Sequence, residues 1–272
     1  MRLTLRHATT YRFDPPARGV VQSLKLWPSE FEGQTVENWR VTVAGDEVAW
    51  SFVDGAGDRV GLAGLRGTLG EVEVVTEGVV ETTDLTGVLR GHRERVSPEA
   101  YLTTTRRTRA NDALRRIAQE AVTGIDESDA LTRAHALMNA VRDAIDYAPG
   151  ETAEQTTAAE ALGLKRGVCQ DHAHALIAVA TSLGIPARYA AGYLRVHAEE
   201  GAAEASHAWA ELWIEALGWV GFDASNRACP DENYVRLGSG ADSTEAAPIR
   251  GIAQGVGAET MEVDLSIEQA QQ

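Results

Sequence analysis

The hydrophobic period of this 272-residue chain changes near Ser97, which favours a fold with strands and helices in separate stretches. Before that point Leu3 and Leu5, Tyr11 and Phe13, and Val41 and Val43 fall on short alternating or β-rich segments. Asp14-Pro-Pro, Trp27-Pro28-Ser29 and Asp54-Gly-Ala-Gly read as turns between them. Glu71 to Glu81 resembles one strand with a wet face, or two strands joined near Gly78. Residues 1–84 are therefore expected to form a small antiparallel sandwich or sheet.

Beyond Ser97 the repeat becomes helical. Ser97-Pro98-Glu99 offers a capping hydroxyl and then proline at the first helical position. Leu114, Ile117, Ala118 and Ala121 make one apolar stripe, ended at Gly124. A second helix is expected over Ala130 to Tyr147, with Leu131, Ala134, Leu137, Met138, Val141 and Ile145 inward. Ala173, Leu176, Ile177 and Ala180 mark a third after Cys169, stopped by Gly184 and Pro186. Strands are expected at Ala187 to Val196, Ala208 to Ile214 and Trp219 to Asp223, with a polar loop from His197 to Ser206. The stretch after Asp231 is acidic and Gly/Ser-rich, with a last strand at Met261 to Ile267. The fold class is α+β: a β domain over 1–84, a second domain that begins with helices over 85–240, and a C-terminal extension over 241–272 that is expected to return as a strand.

Forty acidic residues against 25 Lys plus Arg give a formal charge of −15, which repels phosphate backbones and anionic lipid. Nucleic-acid and membrane partners are thus disfavoured. The N-terminus lacks the apolar segment of a signal peptide, and no apolar run approaches the length of a bilayer span, so the expected compartment is the cytoplasm. Eight arginines and three acidic residues lie between Arg90 and Arg116, a pattern better explained by solvated helix faces than by a docking patch. Composition sets no oligomeric state.

Two cysteines, Cys169 and Cys229, are too few for a disulfide scaffold, and a bridge between them would consume Cys169. Cys169 stands at a helix start, where the unsatisfied N–H groups favour a thiolate. A histidine, His207, and an aspartate, Asp223, follow on successive strands. In that order they can serve as nucleophile, base and the group that orients the base. A cysteine at a helix start also suits a small buried apolar position, so the residues alone leave both readings open. The triad reading imposes a geometric condition. A two-residue turn at Ala216-Leu217 would put His207 and Asp223 on opposite faces, whereas a three-residue loop pairing Ile214 with Gly218, or a bulge, sets them within reach. The Cys169 N–H is the natural first oxyanion donor, Gln170 and Tyr147 are candidates for the second, and Trp209 is a candidate wall of an acyl pocket. His172 and His174, two residues apart, suit no helical metal site, and the chemistry requires no metal or other cofactor.

Gly167-Val-Cys-Gln-Asp, Leu183-Gly-Ile-Pro-Ala-Arg-Tyr with Ala191-Gly-Tyr, Ser206-His-Ala-Trp and Gly218-Trp-Val-Gly-Phe-Asp together resemble the bacterial transglutaminase-like superfamily. Arg6-His-Ala-Thr-Thr-Tyr-Arg-Phe-Asp, Leu24-Lys-Leu-Trp-Pro and Asp54-Gly-Ala-Gly-Asp-Arg-Val resemble that family's N-terminal region. The resemblance implies a papain-like core with helices packed on an antiparallel sheet. It also implies Cys169 as nucleophile, His207 as base and Asp223 as orienting acid. The implied activity is a thiol peptidase or amidase acting through a thioester on a protein, peptide or amide. Alternatives are transamidation by the same triad, or a catalytically silent binding module. Two positions depart from the family pattern: His172 replaces an aromatic, and Gly238 to Glu245 is altered.

Overall fold

The computed structural model describes residues 1–195 and 205–270. The N-terminal region is strand throughout: β1 (Arg2–Leu24), β2 (Gln34–Val43), β3 (Asp46–Glu47), β4 (Trp50–Val53) and β5 (Arg59–Thr82). Alternation explains the long partners β1 and β5, whose Leu3, Leu5, Phe13, Val72 and Val74 are buried. One expectation is corrected, and of the two readings of Glu71 to Glu81 the single strand holds. Asp14-Pro-Pro is not a turn; β1 runs through it, and the ladder to β5 instead loses register between Arg12 and Ala17. Proline has no N–H for the ladder, so the strand accommodates the pair as an irregularity. Gly78 does not divide the Glu71–Glu81 segment, which lies wholly within β5.

A 3-10 turn (Pro98–Leu102) leads to α1 (Asp112–Ala121), α2 (Ala130–Ala144), β6 (Asp146–Tyr147), α3 (Ala158–Leu164), β7 (Arg166–Gly167) and α4 (Cys169–Ser182). Side-chain caps start the first three helices. Asn111 accepts from Leu114 N–H, Asp129 accepts from Thr132 N–H, and Thr157 with Glu160 forms a capping box. α2 ends before Ile145, so Asp146 and Tyr147 are strand rather than helix, paired in parallel with β7. Leu131, expected inward, is exposed because it begins the helix at its solvent edge.

β8 (Ala187–Leu194), β9 (Ala205–Ile214), β10 (Gly218–Phe222) and β11 (Tyr234–Gly240) make an antiparallel sheet in the order β10-β9-β8-β11. Val196 and the expected loop up to residue 204 lie outside the described residues; Ala205 and Ser206 already belong to β9. Ala208, Ala210, Leu212 and Ile214 join α4 in one core, while Trp209 and Glu211 alternate with them. Ile214 pairs with Gly218, so the hairpin has the three-residue loop that the triad reading requires. β11 falls where the sequence shows only an acidic, Gly/Ser-rich stretch, yet all seven of its residues are buried.

The chain then returns to its beginning. β12 (Ile249–Gln254) pairs with the second half of β1 and β13 (Ala258–Gln269) with the first half. Tyr193, Val235 and Leu237 of the second sheet pack into the N-terminal core, so the two sheets share an interior. At that seam Glu211 accepts from Arg188 and Arg236, each at 2.7 Å, and Arg236 also donates to Asp58 at 2.8 Å. Burial opposes the Glu211 charge, but the two guanidinium groups lower its pKa to about 2. Among the described residues no helix is long and apolar enough to cross a membrane.

Candidate active site

Cys169 is the first residue of α4, where backbone N–H groups have no intrahelical acceptor. The preceding turn is held by Asp171, whose Oδ2 accepts from Val168 N–H at 2.8 Å and from the Thr152 hydroxyl at 2.6 Å. Gly167 makes this possible: a Cβ there would stand 2.7 Å from the Asp171 Cβ. The Gly-Val-Cys-Gln-Asp run is thus a turn that fixes the thiol at a helix N-terminus. His172 faces the carbonyls of Val168 and Ile145, tying α4 to the end of α2. Its role is structural. Among the described residues no group of three or more His, Cys, Asp or Glu side chains could hold a metal.

His207 lies near the start of β9, opposite Gly192 of β8. A side chain at Gly192 would meet Val235 O at 2.1 Å and the Trp209 ring at 2.8 Å, so the glycine leaves room for both. His207 Nε2 donates to Asp223 Oδ2 at 2.6 Å, which leaves Nδ1 for the thiol. Burial disfavours the imidazolium, but Asp223 and then Cys169 outweigh it and raise the pKa to about 10. Asp223 is itself surrounded by donors. Its Oδ1 accepts from the Ser225 N–H and hydroxyl at 2.9 and 2.6 Å, and its Oδ2 from Asn226 Nδ2 at 2.7 Å and the Tyr234 hydroxyl at 2.9 Å. Burial works against this carboxylate, but its bonds to His207, Ser225 and Tyr234 keep its pKa below the usual value.

The three expected residues are therefore together, and Cys169 and His207 open into one cleft of about 970 Å³, solvent space included. The other expected residues divide. Gln170 lines the cleft, but its amide already donates to Glu154 O at 3.0 Å. Tyr147 does not line it; its ring stands 6.2 Å from His172, and burial and then the nearby Cys169 and Asp223 raise its pKa. Trp209 is not a cleft wall either. It stacks behind His207 at 6.4 Å and meets Tyr234 edge-on. Sequence reasoning missed Tyr234, Asn226 and Ser225, and it missed Tyr189. Tyr189 is 5% exposed and lines the cleft together with Cys169; burial, then Cys169 and Asp171, raise its pKa well above the ordinary value. Both cysteines are free thiols; burial, then Asp84, raises the Cys229 pKa to about 11.

The sequence profile of the transglutaminase-like superfamily matches residues 115–224, and that of the bacterial transglutaminase-like N-terminal region matches residues 3–81. An uncharacterized protein of Mycobacterium leprae is 31% identical over 284 aligned residues, which cover 98% of each chain. The chain belongs to the transglutaminase-like superfamily. An uncharacterized Mycobacterium tuberculosis protein is 33% identical over 131 residues, 45% of this chain and 41% of that one. A solved structure from Cytophaga hutchinsonii, described provisionally as a cysteine protease, superposes with a TM-score of 0.77 at 21% identity. That superposition covers all of this chain and 91% of the other, so the fold extends over both sheets. A papain-like core behind a strand-rich N-terminal region, expected from the sequence, is what this member of the superfamily has.

Proposed function

We propose that this member of the superfamily is a thiol peptidase or amidase with Cys169 as nucleophile, His207 as acid and base, and Asp223 as the residue that orients His207. The reading is carried by one arrangement: an imidazole held between a thiol and a carboxylate that has several further donors of its own. A high imidazole pKa favours the thiolate–imidazolium pair, the reactive form of a cysteine nucleophile. The thiolate attacks the carbonyl carbon of the amide, and the oxygen takes up negative charge against the Cys169 N–H and the Tyr189 hydroxyl. His207 gives its Nδ1 proton to the leaving nitrogen as the C–N bond breaks, leaving a thioester. Water, deprotonated by His207, then attacks the thioester, the C–S bond breaks, and the acid departs with the thiolate restored.

Water at about 55 M is the default acceptor in an open cleft, which favours hydrolysis over transfer to an amine. The test is mass spectrometry of the protein after rapid quenching with a pool of peptides and amides, with and without added amine. An acyl mass on the Cys169 peptide, absent in Cys169→Ala, supports the reading, and the released acid identifies hydrolysis. A released amide in place of the acid would make the protein an acyltransferase. No adduct from any member of the pool, with Cys169 also inert to small alkylating agents, would leave the triad as a scaffold only.

A further inference from the structure

One part of the lining of the cleft that holds the thiol does not come from the papain-like core. It comes from the N-terminal sheet and the returning strands: His7, Thr9 and Tyr11 of β1, Ile249 of β12, and Met261 and Val263 of β13. The register of β1 and β13 pairs Tyr11 with Met261, Thr9 with Val263 and His7 with Leu265, so all six side chains share one face of the sheet. Along that face the apolar row of β13 changes from buried to open. Ile267 is 2% exposed, whereas Val263 is 48% and Met261 61% exposed. Large apolar side chains left in the open within a cleft that also contains the nucleophile call for a ligand to cover them.

The polar groups of this wall add no positive charge. His7 is bonded through Nδ1 to the Tyr193 hydroxyl at 2.8 Å and through Nε2 to Thr9 at 3.1 Å, and burial lowers its pKa to about 4. Glu154 lines the cleft, and Glu259 lies two residues beyond Met261 on the same face of β13. Among the described residues neither carboxylate is in an ion pair. A cleft with an apolar shelf, Glu154 in its lining and Glu259 beyond the end of that shelf accepts apolar chains and repels acidic ones.

Taking Cys169 as nucleophile, we infer that Tyr11, Met261 and Val263 form the acyl-donor subsite, and that the substrate is a peptide bearing an aliphatic or aromatic side chain within two residues of the reacting carbonyl. The N-terminal sheet and the last strand of the chain thereby set specificity for a reaction performed by the core. The occupant is the acyl donor rather than a second copy of the chain because the shelf is continuous with the thiol in one cleft.

The experiment compares rates of Cys169 alkylation by peptidyl fluoromethyl ketones carrying Leu, Phe, Gly or Asp at the first or second residue. Iodoacetamide, which needs no subsite, is the reference. The expected result is a preference for Leu and Phe over Gly of about ten- to a hundredfold, the value of burying one such side chain, with Asp slowest. In Met261→Glu and Val263→Glu the Leu-to-Gly ratio should fall towards one; both residues are exposed, and the ratio cancels any general loss of folded protein. Equal rates for Leu and Gly, with Cys169 reactive to iodoacetamide, would overturn the subsite and leave the thiol chemistry standing. So would an unchanged ratio in the variants, including one accompanied by a change of oligomeric state in sedimentation. Cys169 inert to every reagent would remove the nucleophile, and the subsite with it.

Discussion

At the scale of residues, the account depends on how His207 is held. Its pKa of about 10 lies above the ordinary 6.5, so the stability from its pairing is complete below about pH 6.5 and is lost as pH rises through 10. The same sign governs activity. The alkaline limb of kcat/KM should fall near pH 10, where His207 loses the proton it gives to the leaving nitrogen. Asp223→Asn removes the main support of that charge, so the limb should move down towards the ordinary imidazole range, and kcat should drop by about 10²- to 10⁴-fold. An Asp223→Asn profile with the limb unmoved would disconnect the two residues. Tyr189→Phe should lower kcat about 10²- to 10³-fold with little change in KM if its hydroxyl meets the developing oxyanion. Burst-phase kinetics of acylation would show this. The grouping of Cys169, His207 and Asp223 was legible in the sequence because each sits in a short local motif. Tyr234 and Asn226 were not, because their bonds to Asp223 depend on the path taken by the chain after the hairpin.

At the scale of elements, side-chain parity allows His207 and Asp223 to meet only across an odd-length turn or a bulge between β9 and β10, and the pairing of Ile214 with Gly218 is the odd-length turn. Parity was not enough for β11, whose Tyr-Val-Arg-Leu-Gly-Ser-Gly has neither alternation nor an apolar run. Its burial comes from pairing with β8 along one edge and from Val235 and Leu237 entering the N-terminal core, a context no local pattern carries. The same applies to Glu211 and Arg188, charged residues on strands that would ordinarily read as solvent-facing. The backbone approach at Gly192 tests how tightly these strands are set. Gly192→Ala places a Cβ against Val235 O and the Trp209 ring, and should cost about 1–3 kcal/mol in urea unfolding. It should also weaken activity, since Trp209 stacks on His207. Wild-type stability in this variant would mean that β8 and β11 separate more easily than their register implies.

At the scale of the whole molecule, the two sheets are joined by a buried charge network and by the return of β12 and β13 to β1. Removing one charge leaves its partners buried and unpaired, so Glu211→Gln should destabilise the protein by about 3–5 kcal/mol in urea unfolding. Because the Glu211 pKa is depressed to about 2, its contribution is present above the ordinary carboxylate range and is lost as pH falls towards 2. Acid unfolding should therefore begin at a higher pH in proteins with this network weakened. The joint matters for the proposed function because His7, Thr9 and Tyr11 of the N-terminal sheet line the cleft that also holds Cys169. All of it rests on Cys169 being the reactive thiol, and alkylation by iodoacetamide near pH 6 tests that directly. Cys169 should be labelled at least tenfold faster than Cys229, whose pKa of about 11 keeps it protonated, and His207→Ala should slow Cys169 and narrow the difference. Equal, slow labelling of both cysteines in the wild-type protein would contradict the account.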